Sequence, residues 1–304
     1  MNDHATEPRT PRGKALVLGG GGPVGRAWQM GIAAGLLAEG VDLREADLIV
    51  GTSAGALVGA RLALGLDPIA MNFAVDAAAV GLPSPAAIAG LQAMMAGMIR
   101  AAHSPTPEVE RIQIGLMALA APTISEDASL AREAFAAIKG QPWPASFRAT
   151  TVSIGTGRLK VWDASAGVPL ERAVAASAAL PSVWPPITIG DDRYIDGGVR
   201  STLNADVASG YVSTVVVSCI DLVAGPGMPA AYRTLNEALL TEIDGLRREG
   251  ATVEIVGPSE PFRALTENGT RMFDVTLVPE AYALGQRQAQ ARLEAIRCSW
   301  KQTD

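Results

Sequence analysis

The sequence predicts an α/β fold, a three-layer α/β/α sandwich with a mainly parallel central sheet and a helical insertion. Three observations predict it. The first 65 residues or so alternate strand, helix, strand, helix, which gives parallel strands with helices on both faces. Tyr211 to Cys219 is continuous and strongly β-branched, as a strand buried on both faces should be. From Leu66 to about Pro122 no strand pattern appears; the stretch is rich in Ala and Met and is broken by Pro83, Pro85, Pro105 and Pro107.

In chain order, Lys14-Ala15-Leu16-Val17-Leu18 reads as a short buried strand. A glycine loop, Gly19 to Gly22, leads through Pro23-Val24-Gly25 into a helix from about Arg26 to Glu39, ended by Gly40. Ala46 to Val50 is the next strand, and Ala54 to Leu64 a helix whose small residues Gly55, Ala56, Gly59 and Ala60 let it sit close to a sheet. Thr123-Ile124-Ser125-Glu126 has the form of a capping box and predicts a helix running to about Gly140. Phe147 to Ile154 alternates like a strand and turns at Gly155-Thr156-Gly157 into Arg158 to Trp162. Pro169 to Ala178 reads as a helix with proline in its first turn. Ile187 to Ile195 reads as strand, turn, strand around Gly190-Asp191. Pro229 to Glu249 is an amphipathic helix, Thr252 to Val256 the last strand, and Pro279 to Arg297 the closing helix. We expect residues 1–13 to form a disordered tail. Residues 14–304 then form a single domain with its insertion at about 66–122.

Composition narrows the function classes. A net charge of −6 gives no electrostatic case for binding nucleic acid. Cys219 and Cys298 make no disulfide framework, fit a reducing compartment and have no metal-ligand spacing; no cofactor is expected. The polar start lacks a signal-peptide core, and no run of about 18 apolar residues is free of charges or turn signals. The expected location is cytoplasmic, with peripheral contact at membranes.

Two short segments carry the chemistry. Gly51-Thr52-Ser53-Ala54-Gly55 follows the apolar run Leu48-Ile49-Val50 and reads as a nucleophile elbow, a sharp strand-to-helix turn that lifts a serine hydroxyl off the sheet. Asp196-Gly197-Gly198 offers a carboxylate followed by two glycines that leave its surroundings open. A serine nucleophile usually takes histidine as its base. The only histidines, His4 and His103, lie in a polar tail and a Pro-rich stretch, so a Ser53–Asp196 dyad is the leading reading. Ser53 also has a plainer reading as a helix N-cap, and Asp-Gly is a common turn.

Gly20-Gly21-Gly22-Pro23-Val24-Gly25 formally satisfies the dinucleotide pattern G-x-G-x-x-G. That site usually wants an acidic residue ending the second strand, where this chain has Val50. No Gly-Lys-Ser/Thr follows, which excludes a Walker loop. The loop can instead serve as an oxyanion hole, its backbone N–H groups aimed at a small anion from a helix N-terminus. Met94, Met95 and Met98 fall close together at helical spacing; they fill the insertion's own core, or line an adaptable apolar groove for substrate.

Taken together, Leu16 to Gly22 with Gly25, Gly51-Thr52-Ser53-Ala54-Gly55 and Asp196-Gly197-Gly198 resemble the patatin-like phospholipase family. Ala176 to Pro181 and Asn204-Ala205-Asp206 resemble the family's surroundings of the aspartate. The likeness covers roughly Ala15 to Cys219. It implies a lipid acyl hydrolase of the phospholipase, lysophospholipase or esterase type, with Ser53 as nucleophile, Asp196 as base, Gly20, Gly21 and Gly22 as oxyanion donors, and no metal. The substrate would be a lipid or acyl ester, met with weak peripheral membrane contact. One departure is Val24, where many members carry a basic residue; the nearest base is Arg26. The rival readings are a nucleotide-binding protein and a catalytically silent regulatory member.

Overall fold

The continuous apolar runs become the middle of one eight-stranded sheet. In the computed structural model, which describes residues 12–69, 84–222 and 230–301, β1 (Arg12–Leu18) lies between β2 (Leu48–Gly51) and β7 (Tyr211–Val217), and all three are parallel. β8 (Thr252–Val256) extends the parallel set beyond β7, and β3 (Phe147–Ser153) extends it beyond β2. Three antiparallel strands complete that side: β4 (Leu159–Trp162) and β6 (Asp192–Asp196) pair with β3, and β5 (Ile187–Ile189) pairs with β6.

Successive side chains of a strand point to opposite faces, and β1 shows what each face meets. Leu16 and Leu18 join the larger core, built with α1 (Gly22–Ala38), α2 (Ala54–Ala63), α6 (Leu170–Ser177) and α9 (Val278–Lys301). Ala15 and Val17 face the opposite layer, where α7 (Ala230–Arg248) contributes Leu239, Ile243 and Leu246. Each fully buried side chain such as Leu16 or Ile49 contributes about 1.5–3 kcal/mol.

The insertion is an α-hairpin in its described part. α3 (Pro85–His103) and α4 (Pro107–Ala120) are joined by three residues; a link that short makes antiparallel neighbours. Met94, Met98, Ile114 and Ala118 form a third cluster with Val152, Ile154, Ile195 and Val199. The hairpin therefore lies on β3 and β6.

The expected elements differ from the observed ones in four places, one being α8 (Glu260–Leu265), for which no helix is expected from the sequence. Residues 12 and 13, expected in the tail, belong to β1, where Arg12 pairs with Tyr211; residues 1–11 of the expected tail lie outside the described residues. α1 begins at Gly22, four residues early, with Pro23 in its first turn. The helix expected from Thr123 to Gly140 is only α5, Glu126–Leu130, capped by Ser125, whose hydroxyl accepts from the Ala128 N–H. Glu126 cannot close the capping box, because its carboxylate holds the Thr188 N–H and hydroxyl and the Arg172 guanidinium. Beyond it, the Arg132 guanidinium stacks over the Trp184 ring, 3.7 Å from its centroid, and the chain continues in short turns.

Candidate active site

Strand register brings the two motifs together. β3 pairs with β2 through Phe147–Ala149 and with β6 through Thr151–Ser153, while β4 runs along Ala149–Val152. A strand has two edges, so β2 and β6 must share one. One is parallel to β3 and the other antiparallel, so their C-terminal ends meet head-on on either side of Thr150. Gly51 ends the first and Asp196 ends the second. The N-termini of α1 and α2 open on this same edge of the sheet, presenting unpaired N–H groups and the positive ends of two helix dipoles.

The elbow is strained and its serine is uncommitted. Ser53 has φ 57° and ψ −120°, a left-side conformation that costs a non-glycine residue about 1–3 kcal/mol. Its side chain makes no capping bond to α2, although it occupies the N-cap position. Its own N–H donates to the Ser177 hydroxyl at 3.0 Å. The following glycine is dictated by close approach: a Cβ on Gly55 would lie 2.0 Å from the Leu18 carbonyl oxygen.

Asp196 is 1% exposed. Its N–H donates to the Ala179 carbonyl, so the end of α6 and the residues just after it hold the backbone of both motifs. Oδ1 accepts from the Gly198 N–H at 2.7 Å. Oδ2 is buried and has no fully formed hydrogen bond. Burial pushes the carboxyl up to about 7, and the nearby Ser53 hydroxyl and the Gly198 N–H each pull it partly back. The hydroxyl thus acts on the carboxyl without the alignment of a finished hydrogen bond, a looseness usual in unliganded sites.

The glycine loop faces the serine. A Cβ on Gly20 would lie 3.4 Å from the Ser53 Cβ and 3.9 Å from its Oγ. The three glycines are not equivalent, however. The Gly20 N–H donates to the Thr202 carbonyl at 2.8 Å. The N–H groups of Gly21 and Gly22, by contrast, make no hydrogen bond among the described residues. Cys219 backs the loop, since a Cβ on Gly21 would lie 2.5 Å from its Sγ. The Gln29 amide donates both to that sulfur and to the Gly19 carbonyl. Burial pushes the Cys219 thiol up to about 12, so it is neutral packing. Val24, at the usual basic position, is fully buried in the core.

The remaining candidates sit elsewhere. Met94 and Met98 are packed inside the third cluster, beside Ile195 and Val199, which flank Asp196-Gly197-Gly198; Met95 is half-buried and outside that cluster. A cavity of about 270 Å³ lies at the other end of the hairpin, between Ala87 and Gly90 of α3, Met117 and Ala120 of α4, and Ser182. His103 is exposed and bonds through Nδ1 to the Ile99 carbonyl, while His4 lies outside the described residues. Among the described residues no group of three or more His, Cys, Asp or Glu could hold a metal ion, and no helix is long and apolar enough to cross a membrane.

Sequence reasoning missed the polar support beneath the site. Thr52, Thr150 and Asn204 are fully buried and mutually hydrogen-bonded, and Ser177 accepts from the elbow. Thr52 stood inside a recognised motif, and Ser177 and Asn204 inside the two flanking segments, but nothing local marks their roles.

Comparison with known proteins agrees with this layout. The family model described as patatin-like phospholipase matches residues 16–209. That span holds the glycine loop, the elbow and the aspartate. Solved structures to which the chain shows some likeness include VipD from Legionella pneumophila, at 13% identity and TM-score 0.41, with 93% of this chain and 67% of that one covered. They also include the type III effector ExoU, at 16% identity and TM-score 0.36, with 90% and 54% covered. A chain of the full-length SpcU–ExoU complex of Pseudomonas aeruginosa gives 16% identity and TM-score 0.37, with 92% and 53% covered. This chain thus spans about half the length of the ExoU chains. A search of curated proteins returns no match. With the model covering well over half of its residues, the chain belongs to the patatin-like phospholipase family.

Proposed function

We propose that the protein is a serine-dependent carboxylic ester hydrolase acting on lipid or lipid-like substrates through a Ser53–Asp196 dyad. One observation carries the reading: the ends of β2 and β6 meet, bringing an uncapped elbow serine beside a buried carboxyl. Family membership supports lipid hydrolysis as the reaction class.

In this scheme the Ser53 Oγ attacks the ester carbonyl while Asp196 takes its proton. An ordinary carboxylate is a poor base toward a serine hydroxyl. Raising Asp196 from 3.8 to about 7 makes the transfer less uphill by about 4 kcal/mol. The Gly21 and Gly22 N–H groups, at the positive end of α1, receive the oxyanion. Removing one such donor typically costs about 3 kcal/mol of transition-state stabilisation. The tetrahedral intermediate collapses, and the leaving alcohol takes the proton back from Asp196. Water then repeats the sequence on the acyl-enzyme: Asp196 takes its proton, the hydroxide attacks, and the acid leaves as Ser53 is reprotonated. No metal or cofactor enters these steps. Contact with a membrane is weak and mainly apolar, since a net charge of −6 opposes docking on anionic lipid.

The test is hydrolysis of a panel of phospholipids, lysophospholipids and soluble p-nitrophenyl esters, with Ser53→Ala as control. The reading requires turnover of at least one lipid class that the variant abolishes. Turnover that survives Ser53→Ala contradicts it.

A further inference from the structure

Asn204 touches the immediate neighbours of both dyad residues. Its Nδ2 lies 3.1 Å from the Thr52 Oγ1, one residue before Ser53, and 3.3 Å from the Gly197 carbonyl, one residue after Asp196. The same nitrogen reaches the Thr150 Oγ1 at 3.3 Å and the Ser201 carbonyl at 2.7 Å. Thr52 and Thr150 are themselves joined at 2.7 Å, and Thr150 also donates to the Gly51 carbonyl. The orientation of the amide is fixed chemically. Its Oδ1 faces the Arg200 Nη1 at 2.8 Å, and a guanidinium can only donate. Arg200 is anchored in turn by two bonds to Asp206. Asn204 has φ 50° and ψ 43°, a left-handed conformation that asparagine tolerates better than most residues, and it is fully buried.

We propose that Asn204 is a positioning residue that ties the elbow to the Asp-Gly-Gly turn and so sets the approach of Ser53 to Asp196. Its link to catalysis rests on the dyad reading; its mechanical role does not. No other described side chain bonds to the residue before Ser53 and also to the residue after Asp196. Thr52 and Gly197 follow strands that end against each other and are not paired to each other. Without the amide, the links left between the two motifs among the described residues run through β3, the segment that ends α6, and the Thr52 hydroxyl's bond to the Leu203 carbonyl.

Two variants separate side chain from backbone. Asn204→Gly keeps the left-handed backbone and removes the amide; Asn204→Asp keeps the shape and replaces the donor with an acceptor. Two measurements are read on each: kcat and KM on a soluble ester, and amide hydrogen exchange across the whole chain. For both variants we expect kcat to fall about 100-fold with KM within about twofold, as for a misplacement of reacting groups by about 1 Å. We expect exchange to quicken together in Gly51–Gly55 and Asp196–Arg200, with the strands of the sheet still protected. Wild-type kcat and exchange in Asn204→Gly overturn the proposal, and so does quickening spread evenly over the chain, which marks a plain stability loss. If wild-type protein turns over no ester, the dyad reading fails while the exchange pattern still decides the role of Asn204.

Discussion

Replacing Asp196 by Asn should make the protein more stable as it makes it inactive. The magnitude follows from the burial of the carboxyl, whose pKa lies near 7 in the folded chain against 3.8 when unfolded. Between these values the folded state holds a proton that the unfolded state releases, so raising the pH favours unfolding. The shift of about three units corresponds to about 4 kcal/mol, fully felt above pH 7 and absent below pH 4. A neutral carboxamide in this place would carry no such cost, and its carbonyl can still accept from the Gly198 N–H that Oδ1 now holds. The advantage of Asp196→Asn over wild type should therefore grow from about 2 kcal/mol at pH 5 to about 4 kcal/mol at pH 8. Glu242, also pushed up to about 7 by burial, adds its own pH dependence, but it is present in both proteins and cancels in the difference. Urea unfolding followed by circular dichroism at pH 5, 6.5 and 8 measures this directly. A difference that does not change with pH refutes the reasoning, because it means the carboxyl is unperturbed.

Three further outcomes follow from the same geometry. As Asp196 must be ionised to act as base, kcat/KM should rise about tenfold per pH unit below 7 and level off above it; a limb near pH 4 would mean an ordinary, solvated carboxylate. Gly55→Ala puts a Cβ against the Leu18 backbone, which no rotamer can relieve, so it should cost about 3 kcal/mol or more in urea unfolding and abolish activity; a stable, active variant contradicts the elbow as described. His103→Ala should keep full esterase activity, since the ring is exposed and bonded only to its own helix; a dead variant would reinstate histidine as the base.

Much of the sheet was legible because its strands are continuous apolar runs. β1, β2, β7 and β8 fall within two residues of the segments read from the sequence, and the turn at Gly190 was visible as Gly-Asp between alternating residues. The two motifs were equally visible. Their meeting was not, since it depends on β6 being antiparallel and sharing an edge of β3 with β2, a property of pairing between distant segments. Local patterns also could not decide between Ser53 as cap and Ser53 as free hydroxyl; the missing side-chain bond to α2 removes the capping reading. The methionines show the same limit: Met94 and Met98 are packing residues of the hairpin, separated from Met95 only by which face meets β6. The helix expected from Thr123 begins only at Glu126, whose carboxylate is held by partners 46 and 62 residues away instead of closing a capping box. Gly20 looks like its neighbours in sequence, and only the carbonyl of Thr202 shows that its amide is engaged.

The central claim is that Ser53 is a nucleophile activated by Asp196. Its most direct test is fluorophosphonate labelling, with the modified residue located by mass spectrometry in wild-type, Asp196→Asn and His103→Ala proteins. The account predicts a single adduct on Ser53 in the wild type, an unchanged rate in His103→Ala, and a rate lowered about 100-fold or more in Asp196→Asn. An adduct on another residue, or full-rate labelling of Ser53 without the Asp196 carboxylate, would contradict it.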